Sequence, residues 1–224
     1  MKTKKLKSTE SKIRLILFLL VFLVNPWIFV FSRNLDYFFP LRISFVSLEN
    51  QVFIDNVNTL RGELIQSQFP VMISRLLINK FVMCGFEITT RYLQTFDISY
   101  LAFWGDVDLL KSTHASGPLL LSVLFLAAVG IYFSINKNKN FRLLLLLIVS
   151  PIPASFISIQ YESISRIPVF IMLSVLAYIG LCEILTRRKV VFWILALVLV
   201  FEFIRFTHDF SYHYPGRLVE QLQK

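Results

Sequence analysis

The chain is 224 residues long, 56% hydrophobic and only 17% charged, against about 25% charged residues in an average soluble domain. Twenty-three phenylalanines and a mean hydropathy of +0.66 exclude a disordered chain and argue against a soluble globular enzyme. A net charge of +9 would point to nucleic acid in a soluble protein. In so apolar a chain the position of each cation relative to the apolar runs matters first, because membrane topology is read from that bias.

Residues 1–12 form a basic arm with Lys2, Lys4, Lys5, Lys7 and Lys12. The first apolar run, residues 13–32, matches the roughly 20 helical residues that cross a bilayer. Its exit reads Phe-Val-Phe-Ser-Arg, with no small-x-small cleavage site, so it is predicted to be an uncleaved anchor helix rather than a signal peptide. Pro26 should kink it.

Residues 33–117 follow, too long a connection to be structureless. Ile43 to Ile54 reads as a short hairpin or extended stretch. From Asp55, a candidate N-cap, the pattern is helical, with Val57, Leu60, Leu64 and Ile65 near one face. Pro70 opens a second helical stretch, with Ile73, Leu76, Leu77 and Phe81 as its stripe, and a third short helix is predicted for Thr89 to Phe96. The loop is more apolar than a solvated linker needs, which predicts packing on the outer membrane surface or on a partner. Ser99 to Gly117 is aromatic-rich and punctuated by Gly105 and Gly117.

Four further apolar runs complete the chain: Pro118 to Ile135, Phe141 to Ile159, Ile167 to Leu185 and Val190 to Phe206. Short polar links join them, so residues 118–207 are predicted to form a four-helix bundle, followed by a tail at 208–224. The predicted fold class is an all-α membrane protein with about five transmembrane helices and one long, mainly helical outer loop. The arm, the link with Lys137, Lys139 and Arg142, and the link with Arg187, Arg188 and Lys189 fall on one side if the chain alternates. The positive-inside rule puts that side, and the N-terminus, in the cytoplasm, with the loop and the C-terminus outside. The outer loop then holds seven Lys/Arg and eight Asp/Glu, nearly neutral, and nucleic acid drops out as a partner. Cys84 and Cys182 belong to no Cys-x-x-Cys pair and are predicted to be free thiols. No span carries a charge at mid-depth, which argues against a proton-driven transporter.

Five landmarks stand in order along residues 45–220. They are Ile54–Arg61 (Ile-Asp-Asn-Val-Asn-Thr-Leu-Arg), Ser74–Lys80 with its Asn-Lys pair, and the run Arg91–Asp106 ending Phe-Trp-Gly-Asp. Ser150-Pro-Ile-Pro-Ala154 with Arg166 and Pro168 is the fourth, and Tyr212-His-Tyr-Pro215 the fifth. Together they resemble the C-terminal half of bacterial GT-C membrane glycosyltransferases, closest to the dolichyl-phosphate-mannose–protein mannosyltransferase-like enzymes. The resemblance implies residence in a bacterial inner membrane, a polyprenyl-phosphate sugar as donor, a protein or glycan acceptor and, in the full enzyme context, a divalent metal. The family's catalytic Asp or Glu lies in an early outer loop, and no position of this chain carries it. The expectation is therefore a C-terminal portion that is not active alone and works with a catalytic N-terminal partner chain. A non-catalytic assembly protein that binds an envelope partner through its outer loop is the alternative.

Four residues are the substrate-binding candidates under that resemblance. Arg166 offers a cation to a donor phosphate, or it snorkels to head groups or pairs with Glu162 one turn back. Glu162 is an acid/base group or that ion-pair partner. Asp106, spaced from Asp108, meets a metal or a sugar hydroxyl, or caps the turn at Gly105. His114 has no second metal ligand nearby and is read as a phosphate or acceptor contact. Glu202 and Arg205, and Glu183 with Arg187, read as paired helix-end charges. An odd number of spans puts the C-terminus outside: a reporter fused after Lys224 that is active only beyond the cytoplasm should give signal, and a cytoplasmic signal would remove one span.

Overall fold

A computed structural model describes residues 14–34, 51–66, 70–106, 108–136, 141–157 and 163–223. Over these residues the protein is all-helical, with no β-strand among them. The predicted hairpin lies mostly outside the described residues; its last part, residues 51–54, is instead the first turn of a helix.

The first apolar run is two helices, α1 (Arg14–Leu23) and α2 (Pro26–Arg33), bent by 62°. Pro26 has no N–H for the Phe22 carbonyl. Asn25 fills the gap: its Nδ2 donates to Phe22 O (3.2 Å) and Val21 O (2.8 Å), and reaches Ser174 Oγ at 3.2 Å. The bend is therefore satisfied internally, as a backbone away from water requires.

The long connection before α6 contains α3 (Gln51–Gln66), α4 (Val71–Leu77) and α5 (Lys80–Gln94). Three expectations are corrected here. Asp55 is inside α3, accepting from Gln51 Nε2 (3.0 Å), so it is not the N-cap. The second stretch breaks at Ile78, where Asn79 caps α5 by accepting from Val82 N (2.9 Å). The helix predicted from Thr89 is the second half of that same α5. Arg75, Asn79 and Lys80 interrupt the apolar stripe in the sequence, and it is the Asn79 side chain, acting as a cap, that turns the interruption into a break.

Helix α6 (Leu121–Asn136) follows a π-helical turn at Ser99–Trp104 and an irregular loop. The third apolar run is split into α7 (Phe141–Val149) and α8 (Ile152–Ser155). Pro151 leaves the Leu147 carbonyl without its helical donor, and Ser150 Oγ takes it (2.8 Å). A 3-10 turn at Ile164–Arg166 leads into α9 (Ile167–Arg187), with Pro168 in the first helical turn. Helix α10 (Lys189–His208) runs on through a π-helical turn, Asp209–His213, into α11 (Tyr214–Leu222). The residues predicted as a tail thus prolong the last apolar helix.

Two continuous helices, Ile164–Arg187 and Lys189–Gln221, are long and apolar enough to cross a membrane, and the bent α1–α2 pair makes a third if it is one span. Helix α6 and the α7–α8 run are apolar but shorter. Helices α6 and α9 form the most extensive pairing, and Leu126, Val123, Leu176 and Phe170 are fully buried between and around them. Their backbones touch: a Cβ on Gly130 would lie 1.9 Å from Leu176 O, and one on Gly180 2.2 Å from Leu126 O. Such small-residue crossings let membrane helices pack by close van der Waals contact. Replacing Gly180 with Ala should lower stability by about 1–3 kcal/mol in a denaturing-detergent titration, because the helices must separate. Gly85→Ala, where a Cβ meets nothing within 4 Å, should instead be neutral or stabilising by up to about 1 kcal/mol.

Candidate functional site

The site is built on the π-helical turn before α6. Asp97 Oδ1 accepts from Ser99 N (2.8 Å) and starts the turn. The turn sends Tyr100 inward, where it is buried, and Trp104 outward, 68% exposed. Gly105 then takes a left-handed φ of +68°, and the carbonyl of Trp104 accepts from Ser112 Oγ (3.1 Å). At the far end of the loop Gly117 N donates to Ala102 O (3.0 Å) and Leu119 N to Leu101 O (2.9 Å). A Cβ on Gly117 would sit 2.3 Å from Leu101 O, so glycine is what lets the strands of the loop close.

The loop's outer flank is held by the chain's C-terminal turn. Tyr214 Oη donates to Leu109 O (2.8 Å) and accepts from Asn34 Nδ2 (2.7 Å), which also reaches Leu110 O at 2.7 Å. Arg33 lies over the rings of Phe210 and Tyr214, 5.4 and 5.5 Å from their centroids. Within the loop the two spaced carboxylates are turn formers: Asp106 Oδ1 accepts from Asp108 N (3.2 Å), and Asp108 Oδ1 from Leu110 N (2.9 Å).

Asp106 does more than close that turn. Its Oδ2 accepts from Ser163 N (2.9 Å) and Ser163 Oγ (3.0 Å), joining the loop before α6 to the turn before α9. Ser163 Oγ lies 3.0 Å from Tyr100 Oη. A serine has one hydroxyl proton, so with that proton on Asp106 the phenol donates to Ser163. Beyond the phenol, the Arg166 guanidinium lies 4.3 Å from the Tyr100 ring centroid, and Arg166 is only 2% exposed. Arg166, Tyr100, Ser163 and Asp106 thus form one buried polar chain.

Burial dominates the titration of this chain. It pushes the Tyr100 phenol well above its ordinary range, with the Arg166 charge offsetting only part of the shift. It also pushes the Asp106 carboxyl up, against the opposing hydrogen bonds from Asp108 and Ser163.

In front of the chain lies a cleft of about 330 Å³ lined by Asp97, Ser99, Tyr100, Trp104, Gly105, Asp106 and His114. His114 sits at φ 57°, a left-handed conformation that non-glycine residues seldom take. Across the turn is a smaller cleft of about 200 Å³ with Glu202, Arg205 and Asp209. Glu202 accepts from Ser122 N (3.0 Å) and Ser122 Oγ (2.6 Å), capping the start of α6, and Asp209 pairs with Arg217 at 2.5 Å. Glu183 pairs with Arg187 at 3.4 Å. Cys84 and Cys182 are free thiols.

Of the four residues singled out from sequence, Asp106 and His114 line one cleft, and Arg166 lies behind its Tyr100 wall. Glu162 lies outside the described residues. Tyr100, Trp104, Ser163 and Asp97 were not singled out. Tyr100 and Trp104 lie in the landmark run Arg91–Asp106, which gave neither residue a role of its own, and one serine among several gives no sign of a long-range acceptor. Among the described residues no three His, Cys, Asp or Glu side chains are placed together to hold a metal ion. No family model, no curated protein and no solved structure matches this chain.

A carboxyl raised by burial binds its proton more tightly in the folded than in the unfolded state. Its contribution is most favourable at low pH and declines as pH rises from the unfolded value, about 3.9, through the higher folded one. Thermal unfolding of the purified protein should show this decline, and Asp106→Asn should remove it while keeping two acceptor contacts to Ser163. Asp106→Ala strands the Ser163 N–H and should cost about 1–3 kcal/mol at neutral pH.

Proposed function

We propose that the chain is a multi-pass membrane protein of the GT-C glycosyltransferase-like kind, and that its outer cleft holds the sugar end of a polyprenyl-phosphate sugar. In this reading all five apolar runs cross a bacterial inner membrane, with the N-terminus in the cytoplasm and the C-terminus outside. The cleft then opens beside the outer ends of α6 and α9, where the lipid-linked head group of a donor would emerge.

The observation that carries the reading is the mixture of groups in one cleft. The exposed indole of Trp104 gives a flat apolar platform for a sugar face. Asp97, Ser99, Asp106 and His114 set hydrogen-bonding groups around it, the few convergent polar groups that fix a ligand's orientation in an otherwise apolar site. Arg166, buried behind Tyr100, stiffens the wall through the Tyr100–Ser163–Asp106 chain. Asp106 is a positioning residue in the same sense: its lone pairs hold Ser163 and the turn. His114, at the rim, is left to meet the phosphate or the acceptor. The group that activates the acceptor comes from a catalytic partner chain, and transfer to a protein or glycan follows only in that company.

Binding of a radiolabelled polyprenyl-phosphate sugar to the full chain in proteoliposomes tests this. Trp104→Ala should weaken binding by roughly fivefold to tenfold, on the order of 1 kcal/mol for a lost aromatic platform. The same lipid without its sugar should bind less well than the complete donor. Equal binding with and without the sugar, or an unchanged affinity in Trp104→Ala, would sink the assignment of the cleft to sugar.

A further inference from the structure

Helix α5 turns a charged pair, flanked by Cys84 and Ile88, towards the protein and a mainly apolar stripe outward. Val82, Phe86, Thr89 and Leu93 recur at helical spacing along its exposed face, with Phe86 67% exposed, and that stripe carries no charge. The charged pair of the same helix points the other way. Arg91 is 6% exposed, bonds the Glu87 carboxylate and donates to the Ile157 carbonyl. A helix standing in water has the opposite arrangement. Helix α4 continues the pattern, with Met72 (85% exposed), Leu76 and Leu77 outward, and Phe81 extends it into α5.

Helix α3 covers the other side of this helix pair. Arg61 of α3 donates through Nε and an Nη to Ile78 O at the α4–α5 junction (3.1 and 2.9 Å). The open face of α3 carries Asp55, Thr59, Glu63 and Gln66. The unit therefore has one polar side and one apolar side, with Arg75 and Lys80 exposed among the apolar residues.

What lies against the apolar side is indicated by its attachment. Tyr92 of α5 donates to Ile148 O (2.6 Å), a carbonyl freed by the break between α7 and α8. Helix α7 exposes Leu145, Leu146, Ile148 and Val149, an apolar run that in water would have no reason to be open. The outward stripe of α5 is thereby attached beside the apolar face of α7, and one medium must cover both. We infer that α4 and α5 lie in the outer-leaflet interface of the membrane, with Met72, Leu76, Phe81, Phe86 and Leu93 among the acyl chains and α3 raised towards water. Arg75 and Lys80 reach from that depth to lipid phosphates. Interfacial helices of this kind bury their apolar face about 5–10 Å into the head-group and acyl boundary.

Nitroxide accessibility on the full chain in phosphatidylethanolamine and phosphatidylglycerol vesicles tests the placement. Labels go on Phe86→Cys, Leu93→Cys and Met72→Cys, each made singly with Cys84→Ser and Cys182→Ser, and on Asn58→Cys of α3 as the aqueous control. At the first three sites the ratio of oxygen to nickel-chelate collisions should be several-fold higher than at Asn58. A ratio equal to that control would put α4 and α5 in water and overturn the inference. An immobilised label shielded from both reagents would overturn it in favour of a protein partner, and dipolar broadening between labels would identify that partner as a second copy. Because the three sites are exposed and lie on two helices, loss of one variant to misfolding leaves the others to decide.

Discussion

The contact of α6 with α9 through Gly130 and Gly180 sets the rest of the molecule. With no side chain between them the two backbones meet, so the segments that precede the helices are brought together as well. The π-helical turn before α6 and the 3-10 turn before α9 supply Tyr100 and Ser163, and their hydroxyls come within 3.0 Å. Asp106 then spans the same gap through Ser163 N and Oγ. A crossing one methyl wider would stretch three hydrogen bonds whose donors are all buried. Buried polar groups are favourable only while fully paired, so packing in the apolar layer and order in the polar layer are one constraint.

That coupling accounts for the chemistry of the cleft. Arg166 is too buried to act as a free surface cation, and its charge is directed at the Tyr100 ring. The ring in turn backs the cleft, and Asp106 forms its floor while accepting three hydrogen bonds. A carboxyl so occupied is suited to hold geometry more than to move protons. The open groups at the mouth, Trp104 and His114, are the ones free to meet a ligand. The left-handed backbone of His114 fits the same division of labour, since strain of this kind persists only where the surroundings over-determine it.

Much of this architecture was legible in the chain. The apolar runs mark α1–α2, α6, α7, α9 and α10 closely, because a run of apolar residues uninterrupted by turn formers reads directly as a buried or membrane-capable helix. The bend at Pro26 and the break at Pro151 follow from a missing donor, which sequence states directly. What was not legible depends on contacts across space. The α4–α5 break is made by the Asn79 cap, where the sequence shows only polar residues interrupting an apolar stripe that resumes at Phe81. Asp55 has the composition of a cap, yet the helix starts at Gln51 and absorbs it. Glu202 and Arg205 have the spacing of an ion pair, but the Glu202 carboxylate caps Ser122, eighty positions away. Asp106 was visible as a candidate, and its partner Ser163 was not, since nothing local distinguishes that serine.

The breaks in the helices explain why the long connection before α6 and the apolar helices form one structure. Each proline exposes a carbonyl that the helix no longer serves, and the nearest side chain takes it: Asn25 at Phe22, Ser150 at Leu147. At the second break the repair extends outside the helix, since Tyr92 of α5 reaches Ile148 O, while Arg91 reaches Ile157 O just past the end of α8. Helix α5 is thus bonded to a carbonyl, that of Ile148, which an unbroken helix would have kept for itself. The polar residues of α5 turn inward because that is where the unsatisfied carbonyls are, and its apolar residues are left on the outside. The break at Pro151 that shortens the third apolar run thus frees Ile148 O, the carbonyl on which α5 docks with its apolar stripe outward.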